Sequence, residues 1–327
     1  MPQLREKTNS FHYVFGPVLS RRLGRSLGID LVPFKTCTYD CIYCQLGRTT
    51  LKTVLRKEYV PLEAVLHELH QKITANTVFD YITLAGSGEP TLHSGIGRFI
   101  REARKLSDKP IAVITNGSLL WDAAVRNDLA AADVVIPSLD AASESTFSQV
   151  NRPHDAISFA RMLEGLIAFR SEFPNRIWLE ILLVDGITST ESEVNALVQI
   201  VQKIKPDRVQ LTTVTRPPAA GPARPVPREL LDRFAAMFGE NTEVLAAIPK
   251  HETTPVGTAS KDDVLAVVQR HPCSLDDIAG SLGIPLEEAT RHVETLLHDC
   301  LLTTYVLDGV VMFVPLRREP SDNTTKP

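Results

Sequence analysis

Apolar residues follow two alternating rhythms along most of this chain. Short apolar runs at Ser26 to Leu31, Tyr81 to Leu84, Ile111 to Thr115, Val134 to Pro137, Trp178 to Val184 and Arg208 to Thr213 read as strands. Between them the apolar positions recur at helical spacing: Leu62, Val65, Leu66 and Leu69; Ile96, Phe99 and Ile100; Ile157, Phe159, Met162, Leu163, Leu166 and Ile167; and Val194, Leu197, Val198, Val201 and Ile204. Strand and helix in alternation predict a parallel sheet covered by helices and joined by right-handed crossovers. Six such units predict an α/β fold, a partial (β/α)6 TIM-like barrel open at one side.

After the sixth strand, residues 215–227 hold five prolines. Such a segment forms neither helix nor central strand, and is expected as an extended lid or a stiff connector to a helix at Glu229 to Phe238. The pattern changes near Pro255. Asp262 to Arg270 reads as a helix, Ser274 to Gly283 as a second with Ser274 as its cap and Asp277 at the capping-box position, and Pro285 to Leu297 as a third. Thr303 to Pro315 reads as a hairpin turning at Asp308-Gly309. Two domains are therefore expected: a barrel over residues 1–250 and a small winged-helix-like module over 256–327, built around a helix-turn-helix pair.

Chemistry concentrates in Cys37-Thr-Tyr-Asp-Cys41-Ile-Tyr-Cys44, which holds three of the chain's five cysteines. Three thiolates on one loop can hold three irons of a cubane iron-sulfur cluster, leaving the fourth iron open to a small molecule. A structural zinc site wants a second pair of ligands, and none follows at the right distance. A disulfide framework does not suit an odd number of cysteines in a chain of 327 residues with no apolar signal core at its start. A second feature is Gly86-Ser87-Gly88-Glu89-Pro90, directly after the apolar run Tyr81 to Leu84. Glycines at a strand end expose backbone groups where parallel α/β folds gather their ligands, although an ordinary turn has the same composition.

Taken together, the C-x3-C-x-aromatic-C loop and the Gly-x-Gly-Glu-Pro strand end resemble the radical S-adenosylmethionine (SAM) superfamily over roughly residues 10 to 215. The resemblance implies that Cys37, Cys41 and Cys44 hold a four-iron four-sulfur (4Fe-4S) cluster, and that SAM chelates its open iron through amino and carboxylate groups. It places Tyr43 beside the adenine, and Gly86, Ser87, Gly88, Glu89 and Pro90 in the segment whose carbonyls receive the SAM amino group. Ser87 stands where the family has glycine, which leaves that backbone role intact. The stretch Phe15 to Asp30 looks similar to uncharacterised iron-sulfur oxidoreductases related to the tRNA wybutosine synthases.

Strand ends supply further candidates. Thr115-Asn116-Gly117 ends the third strand and Ser138-Leu139-Asp140 the fourth, with short polar groups suited to ribose hydroxyls or a carboxylate. Asn-Gly is also a plain turn signal, and Ser138 or Asp140 could cap a helix. The resemblance implies SAM contacts for Asn116, Ser138 and Asp140. Arg152 could reach an anionic group or lie solvated, and Glu180, inside an apolar strand, calls for a partner in an ion pair or a catalytic role.

Charge sharpens this picture. The chain carries a net charge of −4, yet residues 1–60 hold ten Lys and Arg against four Asp and Glu, including Arg21, Arg22, Arg25 and Lys35 near the cysteine loop. Positive charge there suits a SAM carboxylate, an anionic substrate or an acidic reductase, or else a solvated surface. Residues 256–327 hold six basic and eleven acidic residues. A nucleic-acid reader needs a basic face, so DNA is an unsuitable partner for this module, and a protein partner or the barrel suits it better. Cys273 and Cys300 are expected as buried small hydrophobes. No apolar stretch reaches the roughly 20 residues of a membrane span, and the start of the chain lacks a signal core, so a cytoplasmic protein is expected.

The resemblance implies an enzyme that accepts one electron from a flavodoxin or ferredoxin, cleaves SAM reductively to a 5′-deoxyadenosyl radical and abstracts hydrogen from a substrate, a small molecule or a tRNA base. Two alternatives stand beside it. One is an activase that places a radical on a partner protein; the other is a non-catalytic iron-sulfur sensor that signals through its C-terminal module.

Overall fold

The computed structural model describes residues 13–245, 259–270, 272–307 and 309–316. The chain opens with strands β1 (Val14–Ser20) and β2 (Gly24–Ile29), then a short parallel pair, β3 (Thr36–Cys37) and β4 (Leu51–Lys52), within the cysteine loop. Helix α1 (Leu62–Thr74) leads to β5 (Tyr81–Leu84), α2 (Ile96–Leu106) to β6 (Ile111–Thr115), and α3 (Ala123–Leu129) to β7 (Val134–Pro137). Two helices, α4 (Glu144–Val150) and α5 (Phe159–Glu172), precede β8 (Arg176–Leu183). They are followed by α6 (Glu191–Ile204), β9 (Arg208–Thr213), α7 (Arg228–Phe238) and β10 (Thr242–Val244).

These strands form one sheet in the order β1-β2-β5-β6-β7-β8-β9-β10. From β2 to β10 every pair is parallel, with Ile29 beside Leu84, Leu84 beside Val113 and Val113 beside Val135. The six expected strands all form and are joined in sequence order through helices, the partial TIM-like barrel that the pattern predicts. The first runs two residues earlier than expected, Gly24–Ile29, and the Asp30 N–H still bonds the Tyr13 carbonyl at 2.8 Å beside β1. Two edge strands were not expected. β1 pairs antiparallel with β2, with an irregularity between Phe15 and Val18, and its Gly16 and Pro17 mute a strand signal; β10 is only three residues long.

Helices cover the outer face of the sheet. Phe99, Phe147, Phe169 and Phe234 are fully buried there, each contributing on the order of 1.5–3 kcal/mol of apolar burial. Inside the barrel Leu23, Ala112, Val134, Ile136 and Trp178 form a separate apolar cluster. Ile167, expected on the buried stripe of α5, is exposed.

The C-terminal module consists of α8 (Lys261–Arg270), α9 (Leu275–Leu282), α10 (Leu286–His298) and the antiparallel hairpin β11 (Leu302–Leu307) and β12 (Val310–Pro315). The expected capping box is present: Ser274 Oγ accepts from the Asp277 N–H while the Asp277 carboxylate accepts from the Ser274 N–H. Pro255, the hairpin-turn residue Asp308 and the boundary between the two predicted domains lie outside the described residues. The module core, including Val264, Val267, Ile278, Val293 and Leu296, packs against Val18 of β1. Among the described residues, ion pairs from Arg270 to Asp30 at 3.4 Å and from Lys72 to Asp263 at 3.9 Å tie it to the barrel. Cys273 is buried as expected, but Cys300 is exposed, because the turn from α10 into β11 holds it at a φ of 55° on the module surface.

Candidate active site

Cys37, Cys41 and Cys44 sit on the loop that leaves the carboxyl end of β2, and all three line a cavity of about 380 Å³ inside the barrel. The loop is pinned from several sides. The Ile42 N–H donates to the Val150 carbonyl at 2.9 Å, Thr53 N–H to the Cys37 carbonyl at 3.0 Å, and the Asp40 carboxylate accepts from the Thr49 N–H at 2.7 Å. Each sulfur has a cationic or amide donor beside it. Lys35 Nζ lies 3.0 Å from Cys44 Sγ, Asn116 Nδ2 lies 3.6 Å from Cys37 Sγ, and Asn151 Nδ2 lies 3.6 Å from Cys41 Sγ. Such donors stabilise charge on sulfur, whereas burial pushes the Cys37 thiol up to about 11 and Cys41 well above its ordinary value. Buried thiols in this position become thiolates when cations bind them.

The donor set fits an iron-sulfur cubane. Among the described residues no group of three or more His, Cys, Asp and Glu side chains is placed to hold a metal ion. A cubane takes each thiolate on a different iron, and the three thiols line one cavity. Cys273, the nearer candidate for a fourth thiolate by burial, belongs to the core of the C-terminal module.

Facing the cysteines are the ends of β5, β6 and β7. Gly86, Gly88 and Glu89 line the same cavity. At Gly88 a Cβ would come within 1.9 Å of the Thr36 carbonyl oxygen, so only glycine lets this strand end lie against the cysteine loop. The loop and the strand end are further joined by hydrogen bonds from the Lys35 N–H to the Ser87 carbonyl, 2.6 Å, and from the Glu89 N–H to the Thr36 carbonyl, 3.1 Å. Ser87 itself turns away from the cavity. Its N–H and hydroxyl both donate to Asp30, at 3.1 and 2.5 Å, and Asp30 in turn meets Arg270 of the C-terminal module. Pro90 is buried and starts a short 3-10 turn that Glu89 caps.

Glu89 and Asp140 are structural hubs. Glu89 accepts from the Thr91 N–H and hydroxyl, the Thr115 hydroxyl and the Asn116 N–H, all within 3.0 Å. Burial raises its carboxyl pKa, opposed by those donors. Asp140 accepts from the Tyr43 hydroxyl, from Asn151 Nδ2 at 2.8 Å and from the Leu182 N–H at 3.0 Å, and burial pushes it up to about 6. Of the residues singled out in the sequence, Tyr43, Asn116 and Ser138 line the cavity. Asp140 stands behind Tyr43 and orients it. Asn116 is fixed by bonds from Nδ2 to Thr38 Oγ1 and from the Ser118 N–H to Oδ1. Glu180 finds its partner in Arg22. Arg152 takes a φ of 46° and contributes its carbonyl to the loop, while its neighbour Asn151 carries the side-chain contact to the site. Lys35 was singled out only as positive charge near the cysteine loop and not as a donor to a sulfur, and Asn151 was missed as a site residue because it reaches Cys41 only through the tertiary fold.

The family model of the radical SAM superfamily matches residues 31–198, which span this cavity from the cysteine loop to α6. The chain belongs to the radical SAM superfamily. This radical SAM protein is 35% identical over 319 residues to the UPF0026 protein MJ1312 of Methanocaldococcus jannaschii, covering 96% of the chain and 99% of that relative. It is 37% identical over 303 residues to a protein named GTPase Obg from Brachyspira hyodysenteriae, covering 92% of the chain but 45% of that longer relative. In fold it is similar to a radical SAM methyltransferase from Sphaerobacter thermophilus, with a TM-score of 0.52 and 16% identity over 68% of this chain and 66% of that one.

Proposed function

We propose that this protein is a radical SAM enzyme whose Cys37, Cys41 and Cys44 hold a 4Fe-4S cluster with SAM at the open iron. What the bound pair supplies is one-electron reductive cleavage of SAM to a 5′-deoxyadenosyl radical, which abstracts hydrogen from the substrate. The observation that carries this reading is the convergence of three half-buried thiols and the Gly86 to Gly88 strand end on one cavity. A volume of about 380 Å³ falls in the range of pockets that enclose a cofactor-sized ligand.

The chain's own residues do the positioning. Lys35, Asn116 and Asn151 direct donors at the three sulfurs, and Gly86 and Gly88 line the cavity beside them. Asp140 holds the Tyr43 hydroxyl so that its ring stands as a wall for an adenine. Glu89 locks the ends of β5 and β6 together, and the Pro-rich segment closes over the loop: the Ala220 N–H donates to the Ile42 carbonyl at 2.9 Å. A flavodoxin or ferredoxin is the proposed electron donor, in the cytoplasm. No helix among the described residues is long and apolar enough to cross a membrane. The acidic C-terminal module, read as winged-helix-like, is proposed as a protein-docking element rather than a DNA reader.

The test is anaerobic reconstitution with iron and sulfide, followed by dithionite and SAM. The expected products are 5′-deoxyadenosine and methionine. An intact cluster that leaves SAM uncleaved would favour an iron-sulfur sensor over an enzyme.

A further inference from the structure

Three arginines border the same cavity on its substrate side. Arg21 and Arg22 occupy the turn between β1 and β2, at the opposite end of β2 from the cysteine loop, and Arg216 follows β9. The strands at the two sheet edges, β1 and β10, are not paired with each other, and Arg21 spans that seam. Its Nη1 donates to the Leu245 carbonyl at 2.6 Å and reaches Thr215 Oγ1 at 3.4 Å. Arg21 and Arg216 also line an adjoining cavity, about 380 Å³, between the barrel and the C-terminal module.

The charges here do not balance. Arg22 pairs with Glu180, and Asp277 of the module lies near Arg21, which leaves one positive charge in excess among the five groups. Among the described residues, Arg22 Nη1 and Arg216 Nη1 are buried with no hydrogen-bond partner, although the Arg216 side chain also bonds the Cys273 thiol. Burial, with the neighbouring Arg22 and Arg216, pushes Arg21 down to about 10. A purely structural ion network would pair its cations and satisfy their donors, since each buried unpaired donor costs stability. Guanidinium groups of residues that line a cavity match, once they turn to it, the paired oxygens of a phosphate or carboxylate. In the reading given above, the carboxylate of SAM is engaged at the open iron beside the cysteines, so this second group of donors is left for a second ligand.

We propose that Arg21, Arg22 and Arg216 form a receptor for an oxyanion of the substrate, a phosphate or a carboxylate, at the seam between β1 and β10. The proposal rests on the radical SAM reading of the cavity. The substrate enters beside the C-terminal module and is oriented by its anionic end, with its reacting carbon directed toward the cysteine loop.

Titration calorimetry on the reconstituted holoprotein with SAM tests this, using inorganic phosphate and malonate as probes against chloride of equal ionic strength. Saturable binding of phosphate, malonate or both is expected, weakened at least tenfold in Arg216→Gln and in Arg22→Lys. The lysine variant keeps a positive charge beside Glu180 and so guards against loss of folding. Binding of phosphate alone assigns a phosphorylated substrate, and binding of malonate alone assigns a carboxylate. No saturable binding of either ion, or equal binding by wild type and both variants, overturns the proposal. Deoxyadenosine formation by the wild-type holoprotein is scored separately. If SAM is cleaved and no anion binds, only the receptor fails; if an anion binds and SAM is not cleaved, only the radical reading fails.

Discussion

On the strand-end wall of the cavity, Glu89 accepts from four donors and Asp140 from three, while across the barrel Arg22 and Arg216 each keep a buried Nη1 without an acceptor among the described residues. The first wall carries its order in its own hydrogen bonds, as a site does when its ligand and geometry are fixed. The second wall holds like charges together at a cost to the fold, which a ligand of opposite charge offsets. In the proposed reading, one cavity pairs a preorganised cofactor wall with a wall that a substrate anion would complete.

The largest effects test the first wall. Replacing Cys37, Cys41 or Cys44 with alanine is expected to lower iron from about four per chain to near zero and to abolish SAM cleavage, read by iron and deoxyadenosine assays. Asn151→Ala removes the donor beside Cys41 and one of the bonds to Asp140. A loss of about 10–100-fold in activity or iron retention is expected, as for other groups that orient metal ligands. A variant with wild-type activity would break the claim that this wall is preorganised.

The next tests compare the walls by stability. Arg22→Ala leaves Glu180 unpaired in a largely buried position, the two side chains being 10% and 17% exposed, and should cost about 3 kcal/mol in denaturant unfolding. Asp140 gives a pH signature. Its folded pKa of about 6 lies above its ordinary value of 3.8, so the folded state takes up the proton more readily. The stability contributed by that proton is fully present below pH 3.8 and is lost as pH rises through about 6, a swing of roughly 3 kcal/mol that Asp140→Asn should remove. The smallest effect is the most discriminating. Arg216→Gln, without ligand, should leave stability unchanged or raise it by less than about 1 kcal/mol, because it relieves repulsion; clear destabilisation would mean the second wall is a structural network after all.

Much of the cofactor wall was legible in the sequence, because its parts are local. The cysteine triplet and the Gly86 to Pro90 strand end are each contiguous, and six strands follow from runs of branched apolar residues. Edge strands β1 and β10 were not, since Gly16 and Pro17 break the first and three residues are too few to show a period in the second. The sulfur contacts of Lys35 and Asn151 escaped for another reason. Lys35 stands close to the loop in sequence, but its contact with Cys44 depends on a left-handed backbone position, and Asn151 lies more than a hundred residues from Cys41, where no spacing rule connects it to the sulfur. The SAM contact expected for Asp140 rested on its strand-end position and on the family resemblance; what the sequence did not show is that its carboxylate accepts from Tyr43, Asn151 and Leu182. The arginine wall joins a turn, a Pro-rich segment and a module at the far end of the chain, and only the closed fold brings these together.

The account turns on a cluster with one iron left for SAM. Anaerobic reconstitution followed by electron paramagnetic resonance of the reduced protein, with and without SAM, measures this directly. The expected result is about four irons per chain and a spectrum that changes when SAM is added, both absent after substitution of any of the three cysteines. A tightly held zinc ion, or an iron signal indifferent to SAM and to those substitutions, would contradict it.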